Sequence, residues 1–279
     1  MTQTWLITGS SRGLGRAIAE AVLAAGHNLT ATARDPTKLA DLVARYGDKI
    51  RAVALDVIDP RQVQEAMNVT IDAFGRIDVV VNVAGYGDIC SIEDSSLDDL
   101  RAQIETNLFG TITVTKAAIP MMRTQGSGHI IQFSSVGGRV GATGRAGYSA
   151  AKWGVEGFSE VLATETAPLG IKVTIVEPGG FRTDFAGSSS KMHAGRPEYD
   201  VTVGAAERFQ REYDGKQPGD PAKAAAVIVE LAAMAEPPLR LLLGSDAVQI
   251  VTRSDLAKSA ADARWRHLSV STDFVTESA

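Results

Sequence analysis

Seven short apolar runs, each followed by a longer amphipathic stretch, set the rhythm of this 279-residue chain. The runs predict strands at 4–8, 28–33, 50–55, 78–83, 128–134, 171–177 and 239–243. The stretches between predict helices at about 14–25, 36–46, 60–74, 97–122, 148–168 and 221–235. Such an alternation reads as repeated βαβ units. The expected fold is therefore α/β, a mostly parallel seven-stranded sheet with helices on both faces. Right-handed crossovers bring the strand C-termini to one edge, where a ligand site is expected.

The residues between elements agree with this pattern. Asp35-Pro36, Asp59-Pro60 and Asp220-Pro221 each set a capping carboxylate before a proline suited to a helix's first position. Gly26, Gly47, Gly75 and Gly170 fall just past predicted helices, where a left-handed residue is wanted. The rhythm fails over about 184–219, through Ser188-Ser189-Ser190, Lys191, His193, Gly195 and Arg196-Pro197. That length predicts a lid or a binding loop. No linker or repeat interrupts the chain, so residues 1–279 are expected to form one domain.

Composition excludes several function classes. With 28 basic and 33 acidic residues the net charge is −5, which leaves no electrostatic footprint for nucleic acid or an anionic membrane. No run approaches the ~18 apolar residues of a membrane span. The N-terminus lacks the basic start and apolar stretch of a secretory signal, so a cytoplasmic setting is expected. The lone Cys90 forms no intramolecular disulfide, and His27, His129, His193 and His267 show no metal-ligand spacing; no metal is expected.

The first predicted strand runs into Thr8-Gly9-Ser10-Ser11-Arg12-Gly13-Leu14-Gly15, which opens the first helix. Glycines at a strand-to-helix turn allow a tight bend, close backbone approach to a pyrophosphate and tight helix–strand packing, with the phosphate against free N–H groups. The spacing is Thr-Gly-x-x-x-Gly-x-Gly, and here the chain resembles a classical short-chain dehydrogenase/reductase over nearly its whole length. The resemblance implies a Rossmann-type doubly wound three-layer α/β/α fold and a nicotinamide cofactor held by Gly9, Ser11, Arg12, Gly13, Leu14 and Gly15.

An acidic residue ending the second strand would bond a ribose 2′-hydroxyl, whereas basic residues suit a 2′-phosphate. The strand ends Thr32-Ala33-Arg34-Asp35-Pro36. Ala33 stands where NAD-preferring relatives carry the acid, Arg34 follows it, and Arg12 is aimed at the same pocket. Two guanidinium groups fit a phosphate dianion, so NADP(H) is the expected cofactor. Asp35 is the competing candidate, but its place before Pro36 gives it a capping role. By resemblance, Asp56-Val57 would contact the adenine. Asn82, Ala84 and Gly85 belong to Asn82-Val83-Ala84-Gly85, where Val83 replaces the family's second Asn and puts one sheet hydrogen bond in doubt. Pro178, Gly179, Phe181 and Thr183 would line the nicotinamide.

Tyr148 and Lys152 are i and i+4 on one predicted helix face. A neighbouring ammonium would lower a phenol pKa that is otherwise near 10. Taken alone, this pair equally describes an amphipathic face with a snorkelling lysine. The resemblance adds Ser135, thirteen residues earlier, as the group that polarises a substrate carbonyl, and Asn107 as the holder of a relay water. Lys152 would also hold the nicotinamide ribose. The implied reaction is hydride transfer between the nicotinamide and a carbonyl or secondary alcohol of a small molecule, with Tyr148 as acid and base. The alternatives are an NAD(H)-preferring dehydrogenase of the same family and a nucleotide-binding sensor or scaffold without turnover.

Phe181, Phe185, Met192 and Tyr199 fit a moderately bulky apolar substrate, and core packing explains them equally well. Cys90 is a candidate pocket residue, and residues 184–219 and 244–279 are expected to shape the pocket. A homodimer or homotetramer through the helices 97–122 and 148–168 is implied by the resemblance.

Overall fold

The computed structural model describes residues 2–185, 192 and 195–274, so the expectations for Ser188-Ser189-Ser190, Lys191 and His193 lie outside the described residues. Seven strands form one sheet: β1 (Thr4–Ile7), β2 (Asn28–Ala33), β3 (Ile50–Ala54), β4 (Val79–Asn82), β5 (Gly128–Phe133), β6 (Ile171–Pro178) and β7 (Arg240–Leu243). Their order is β3-β2-β1-β4-β5-β6-β7 and every pairing is parallel. All seven match the apolar runs within one residue at either end. The fold is thus the expected Rossmann-like parallel sheet, whose order reverses between β1 and β4 and opens a crevice there.

The strands are apolar on both faces because helices cover both. Trp5 and Ile7, Val79 and Val81, and Ile131 and Phe133 point into one cluster with Ile18 and Val22 of α1 (Gly13–Ala24). Ile228 of a later helix, Pro221–Ala233, joins the same cluster. The alternating residues Leu6, Val80 and Ile130 point the other way. There they meet Val63 and Met67 of a helix at Pro60–Phe74, with Val114 and Met122 of one at Gly110–Gln125. Each large aliphatic side chain so enclosed contributes roughly 1.5–3 kcal/mol.

The helices follow the capping pattern, with instructive breaks. Asp35, Asp59 and Asp220 each accept hydrogen bonds from the first-turn N–H groups ahead of a proline. Past the helix ends, Gly26, Gly75 and Gly170 adopt positive φ. The stretch 36–46 divides into a 3₁₀ turn, Pro36–Leu39, and α2 (Ala40–Tyr46), before α3 (Pro60–Phe74). The expected helix 97–122 is α4 (Leu97–Ile104) and α5 (Gly110–Gln125), joined by a π-turn at Glu105–Phe109. The next helix, α6 (Ala146–Thr166), begins a turn's half earlier than the apolar pattern indicates.

Two further helices arise where no apolar rhythm predicted one. The stretch expected to be an irregular loop contains α7 (Ala205–Tyr213), preceded by a 3₁₀ turn at Pro197–Tyr199 and a π-turn at Asp200–Gly204. Arg196 pairs with Glu93 and Asp94, and the Tyr199 hydroxyl donates to Glu93, so this region is fastened to the loop after β4. After α8 (Pro221–Ala233) and β7 comes α9 (Ser245–Val270), of which only Ala247 and Val251 are buried. Among the described residues, no helix is long and apolar enough to cross a membrane.

One hydroxyl ties the two strands that border the crevice. The Thr8 Oγ1, at the end of β1, accepts from the N–H groups of Val83 and Ala84 just past β4, each at 3.1 Å. The Val83 side chain packs into the core, while its backbone keeps a hydrogen bond across the sheet. Thr8→Val keeps the shape but strands two enclosed donors, which is expected to lower unfolding free energy by about 1–3 kcal/mol. Urea denaturation checks this, with Thr8→Ser expected to retain most of the stability.

Candidate active site

The crevice deepens into a cavity of about 730 Å³ along the C-terminal ends of the strands. The glycine turn forms its floor. Gly9 and Gly13 take φ +68° and +57°, which side chains disfavour, and a Cβ at Gly15 would collide with the Gly9 carbonyl. The α1 N-terminus is left without a side-chain cap, since Arg12 at that position makes no capping bond. Its first-turn N–H groups therefore suit an anion.

Nearly every sequence-expected contact lines this one cavity. Gly9, Ser11, Arg12, Gly13, Leu14 and Gly15 do so with Arg34, Asp56 and Val57. Ala84, Gly85, Pro178, Gly179, Phe181 and Thr183 line it as well. Asn82 is the exception. Its amide nitrogen donates to Thr115 and Gln132 at 3.1 and 2.9 Å, so it braces β4 against β5 and α5 beneath the cavity. Arg12 and Arg34 are exposed, and their side chains form no hydrogen bond or ion pair among the described residues, whereas nearby Arg16 is held by Glu20 and Asp41. Asp35 accepts from Thr37 N at 3.1 Å and does not line the cavity.

Asn107, Ser135, Tyr148 and Lys152 come together at one wall from three parts of the chain, the last two residues sharing α6. Asn107 sits in the π-turn, which interrupts helical hydrogen bonding and aims an otherwise unfavourable mid-helix amide inward. Its Nδ2 donates to the Tyr86 and Gln103 carbonyls at 2.8 Å, and its Oδ1 accepts from Tyr86 N at 3.2 Å. Ser135 follows β5 and its Oγ accepts from Gly137 N at 3.0 Å. Tyr148 lies between two glycines: a Cβ at Gly87 would stand 2.8 Å from its ring and one at Gly137 3.2 Å. Lys152 donates to the Phe133 carbonyl at 2.7 Å, with its Nζ 5.6 Å from the Tyr148 ring centre. Ser134 instead turns toward Glu156 and the spine of α6, against Gly138.

Burial governs the protonation of this wall. It pushes the Tyr148 phenol up, against the pull of the Ser135 hydroxyl and the Arg145 guanidinium. The expected depression by Lys152 is therefore absent in the free protein. Lys152 is itself lowered to about 8 by burial, opposed by the Glu156 carboxylate one turn on. His129 is likewise lowered to about 4 by burial and shares a hydrogen bond with Thr174, away from the cavity.

Other expectations resolve differently. Phe181 and Phe185 line the cavity, but Cys90, Met192 and Tyr199 do not. Residue Met192 bridges to Ile89, and His27 is half-buried, accepting from Gln3 N. Among the described residues after β7, only Asp246 and Ile250 reach the cavity. Arg145, Gln210 and Tyr213 were not anticipated there. Arg145 precedes the predicted helix start, and α7 is a short, polar helix within the stretch expected to be a loop. Among the described residues, no group of three His, Cys, Asp or Glu side chains is disposed to hold a metal ion.

The sequence model of the family described as short chain dehydrogenase matches residues 3–194. The chain is 49% identical over 271 residues to "Oxidoreductase BOA17" of Botryotinia fuckeliana, covering 97% of this chain and 99% of that protein. A short-chain dehydrogenase from Streptomyces avermitilis superposes with TM-score 0.92 at 41% identity, covering 98% of this chain and all of that one. An alcohol dehydrogenase from the archaeon Thermococcus sibiricus, complexed with 5-hydroxy-NADP, gives TM-score 0.72 at 25% identity, over 87% and 96% of the two chains.

The lowered Lys152 pKa makes stability depend on pH. Between about 8 and 10.5 the unfolded lysine holds a proton that the folded one has lost, so folding is favoured as pH rises through this range. In the difference between wild type and Lys152→Met, stability is expected to shift toward wild type by about 2–4 kcal/mol across that range. Paired urea denaturation at pH 7.5 and 10.5, chosen to bracket this window, measures it.

Proposed function

The chain belongs to the short-chain dehydrogenase family, and from that premise we propose that it is an NADP(H)-dependent oxidoreductase interconverting a carbonyl and a secondary alcohol on a small molecule. Tyr148 is the proton donor and acceptor. The observation that carries this reading is the convergence of Ser135, Tyr148 and Lys152 on a cavity continuous with the glycine turn.

The site fits the cofactor in its chemistry. Gly9, Gly13 and Gly15 form a cradle that side chains would fill, and the uncapped α1 N-terminus suits a pyrophosphate. Arg12 and Arg34, unpaired among the described residues, suit a 2′-phosphate, while Asp35 is engaged in capping. Asp56 and Val57 flank the adenine end, and Phe181 and Thr183 the nicotinamide end. When bound, the nicotinamide supplies or accepts the hydride.

The remaining chemistry belongs to the chain. Ser135 hydrogen bonds to the substrate carbonyl oxygen and fixes its direction toward Tyr148. Tyr148 gives that oxygen its proton in reduction and takes one in oxidation. Lys152, with one N–H on the Phe133 carbonyl, has further donors for the ribose hydroxyls. It returns charge to the buried wall when protonated. Asn107 has both amide hydrogens engaged and one acceptor position left on Oδ1 for a water leading outward from Lys152. The whole chain, 1–279, works as one catalytic domain. A homodimer or homotetramer through α4, α5 and α6 is supported by the exposed Leu97, Trp153 and Val161 there, and by Phe109 between α4 and α5.

Tyr148→Phe is expected to lower kcat by about 10²–10⁴ while NADPH still binds. Steady-state rates and NADPH fluorescence titration test both halves, and near-normal turnover would overturn the role of Tyr148. Arg34→Ala is expected to reduce the kcat/KM preference for NADPH over NADH by roughly tenfold or more. An unchanged preference would remove that arginine from cofactor choice.

A further inference from the structure

Arg145 stands at the N-terminus of α6, three residues before Tyr148, with its guanidinium on the cavity wall. The Nη1 donates to the Gly87 carbonyl at 3.3 Å and the Nη2 to the Gln210 side-chain oxygen at 3.0 Å. Both acceptors are neutral. A guanidinium carries five N–H groups, and the others find no acceptor among the described residues. Asp88 acts on the charge through space but is not one of its hydrogen-bond partners.

Three of the other half-buried arginines differ, while Arg51 donates only to the Asp48 and Ile50 carbonyls, away from the cavity. Arg16 holds Glu20 and Asp41, Arg139 holds Glu177 and Asp255, and Arg240 holds Glu156 and Glu160. Each of these half-buried cations thus has at least two carboxylates, Arg240 also reaching Glu177 at 3.4 Å. Arg145, also half-buried, has none in hydrogen-bond contact among the described residues, which is costly for a desolvated charge. Its position is also fixed relative to the reacting wall. A Cβ at Gly87 would lie 2.8 Å from the Tyr148 ring and 3.2 Å from Arg145 Nη1, so phenol and guanidinium border the same point. The Phe185 ring bridges them, 5.6 Å from the Tyr148 ring and 5.9 Å from the Arg145 carbon, centre to centre.

We propose that Arg145 anchors an acid-binding subsite beside Tyr148, so that the molecule turned over in the cavity is a keto acid or the matching hydroxy acid, its carboxylate held by the guanidinium. This deepens the oxidoreductase reading above and rests on it. The carboxylate takes the N–H groups that neutral acceptors leave over, in a planar donor array that matches its two oxygens. Phe185 and Ile250 give the carbon skeleton apolar surface. The guanidinium adds a polar anchor beside the apolar surface that Phe181 and Phe185 give the cavity.

The test uses three keto acids of different shape, 4-oxopentanoate, 4-oxocyclohexanecarboxylate and 4-acetylbenzoate, each paired with its methyl ester. Binding is measured by isothermal titration to the NADP⁺-loaded protein, a dead-end complex in which a ketone cannot react. Turnover is followed separately with NADPH and NADH. At least one acid is expected to bind roughly tenfold or more tightly than its ester. Arg145→Met is expected to bring that ratio to about one, and Arg145→Lys to keep part of it. No acid–ester discrimination in wild type, or discrimination that survives in Arg145→Met, overturns the proposal. Should Arg145→Met not fold, the wild-type ratio and Arg145→Lys decide it. Discrimination in binding without turnover of any probe by either cofactor would instead count against the oxidoreductase reading and leave the acid site standing.

Discussion

Seven strands running the same way oblige every return connection to cross a face of the sheet, and so bring every strand's C-terminus to one edge. The order reverses between β1 and β4, and no helix crosses the gap that opens there. Everything functional in the chain depends on that gap. The glycine turn hangs from β1 and Ala84 and Gly85 from β4, while Ser135 follows β5 and Pro178 ends β6. The Thr8 hydroxyl, bonded to two N–H groups beyond β4, holds the two sides in register. Small relative motion of β1 and β4 would therefore displace the floor and the wall together.

The wall runs against the solvent's preference. Tyr148 and Lys152 are almost wholly enclosed, and burial drives both toward their neutral forms. Glycines at 87 and 137 let the chain close on both faces of the phenol, since a Cβ at either would meet the ring. The charge needed to draw a proton from Tyr148 is thus not supplied in full by the free protein. The Ser135 hydroxyl and Arg145 supply part, and the cationic nicotinamide proposed for the cavity would supply the rest. On the proposed function, such a wall would become reactive only with its cofactor in place, as preorganised electrostatic catalysis requires.

Much of this was legible in the sequence because it rests on local rules. Asp-Pro pairs marked helix starts, positive-φ glycines marked ends, and apolar runs marked every strand within a residue. Thr8 through Gly15 marked the floor, and Tyr148 with Lys152 marked the wall. What escaped depends on distant partners. Asn82 is drawn beneath the cavity by Gln132, fifty residues on, a contact no local pattern carries. The π-turn at Glu105–Phe109 breaks an apolar period that would read straight through it. The helix α7 is polar and held partly by Arg196 and Tyr199 pairing with Glu93 and Asp94. Arg145 acquires meaning only when Gly87 and Gln210 fold against it.

On the proposed function, the cavity is a single nucleotide-and-substrate site whose residues from opposite parts of the chain would hold the cofactor's two ends. A crystal structure of the protein grown with NADP⁺ tests that most directly. The expected result has the 2′-phosphate between Arg12 and Arg34, the pyrophosphate against the N-terminus of α1, and the nicotinamide facing Tyr148 with its ribose on Lys152. A nucleotide bound elsewhere, or one whose nicotinamide lies away from Tyr148 and Ser135, would contradict it.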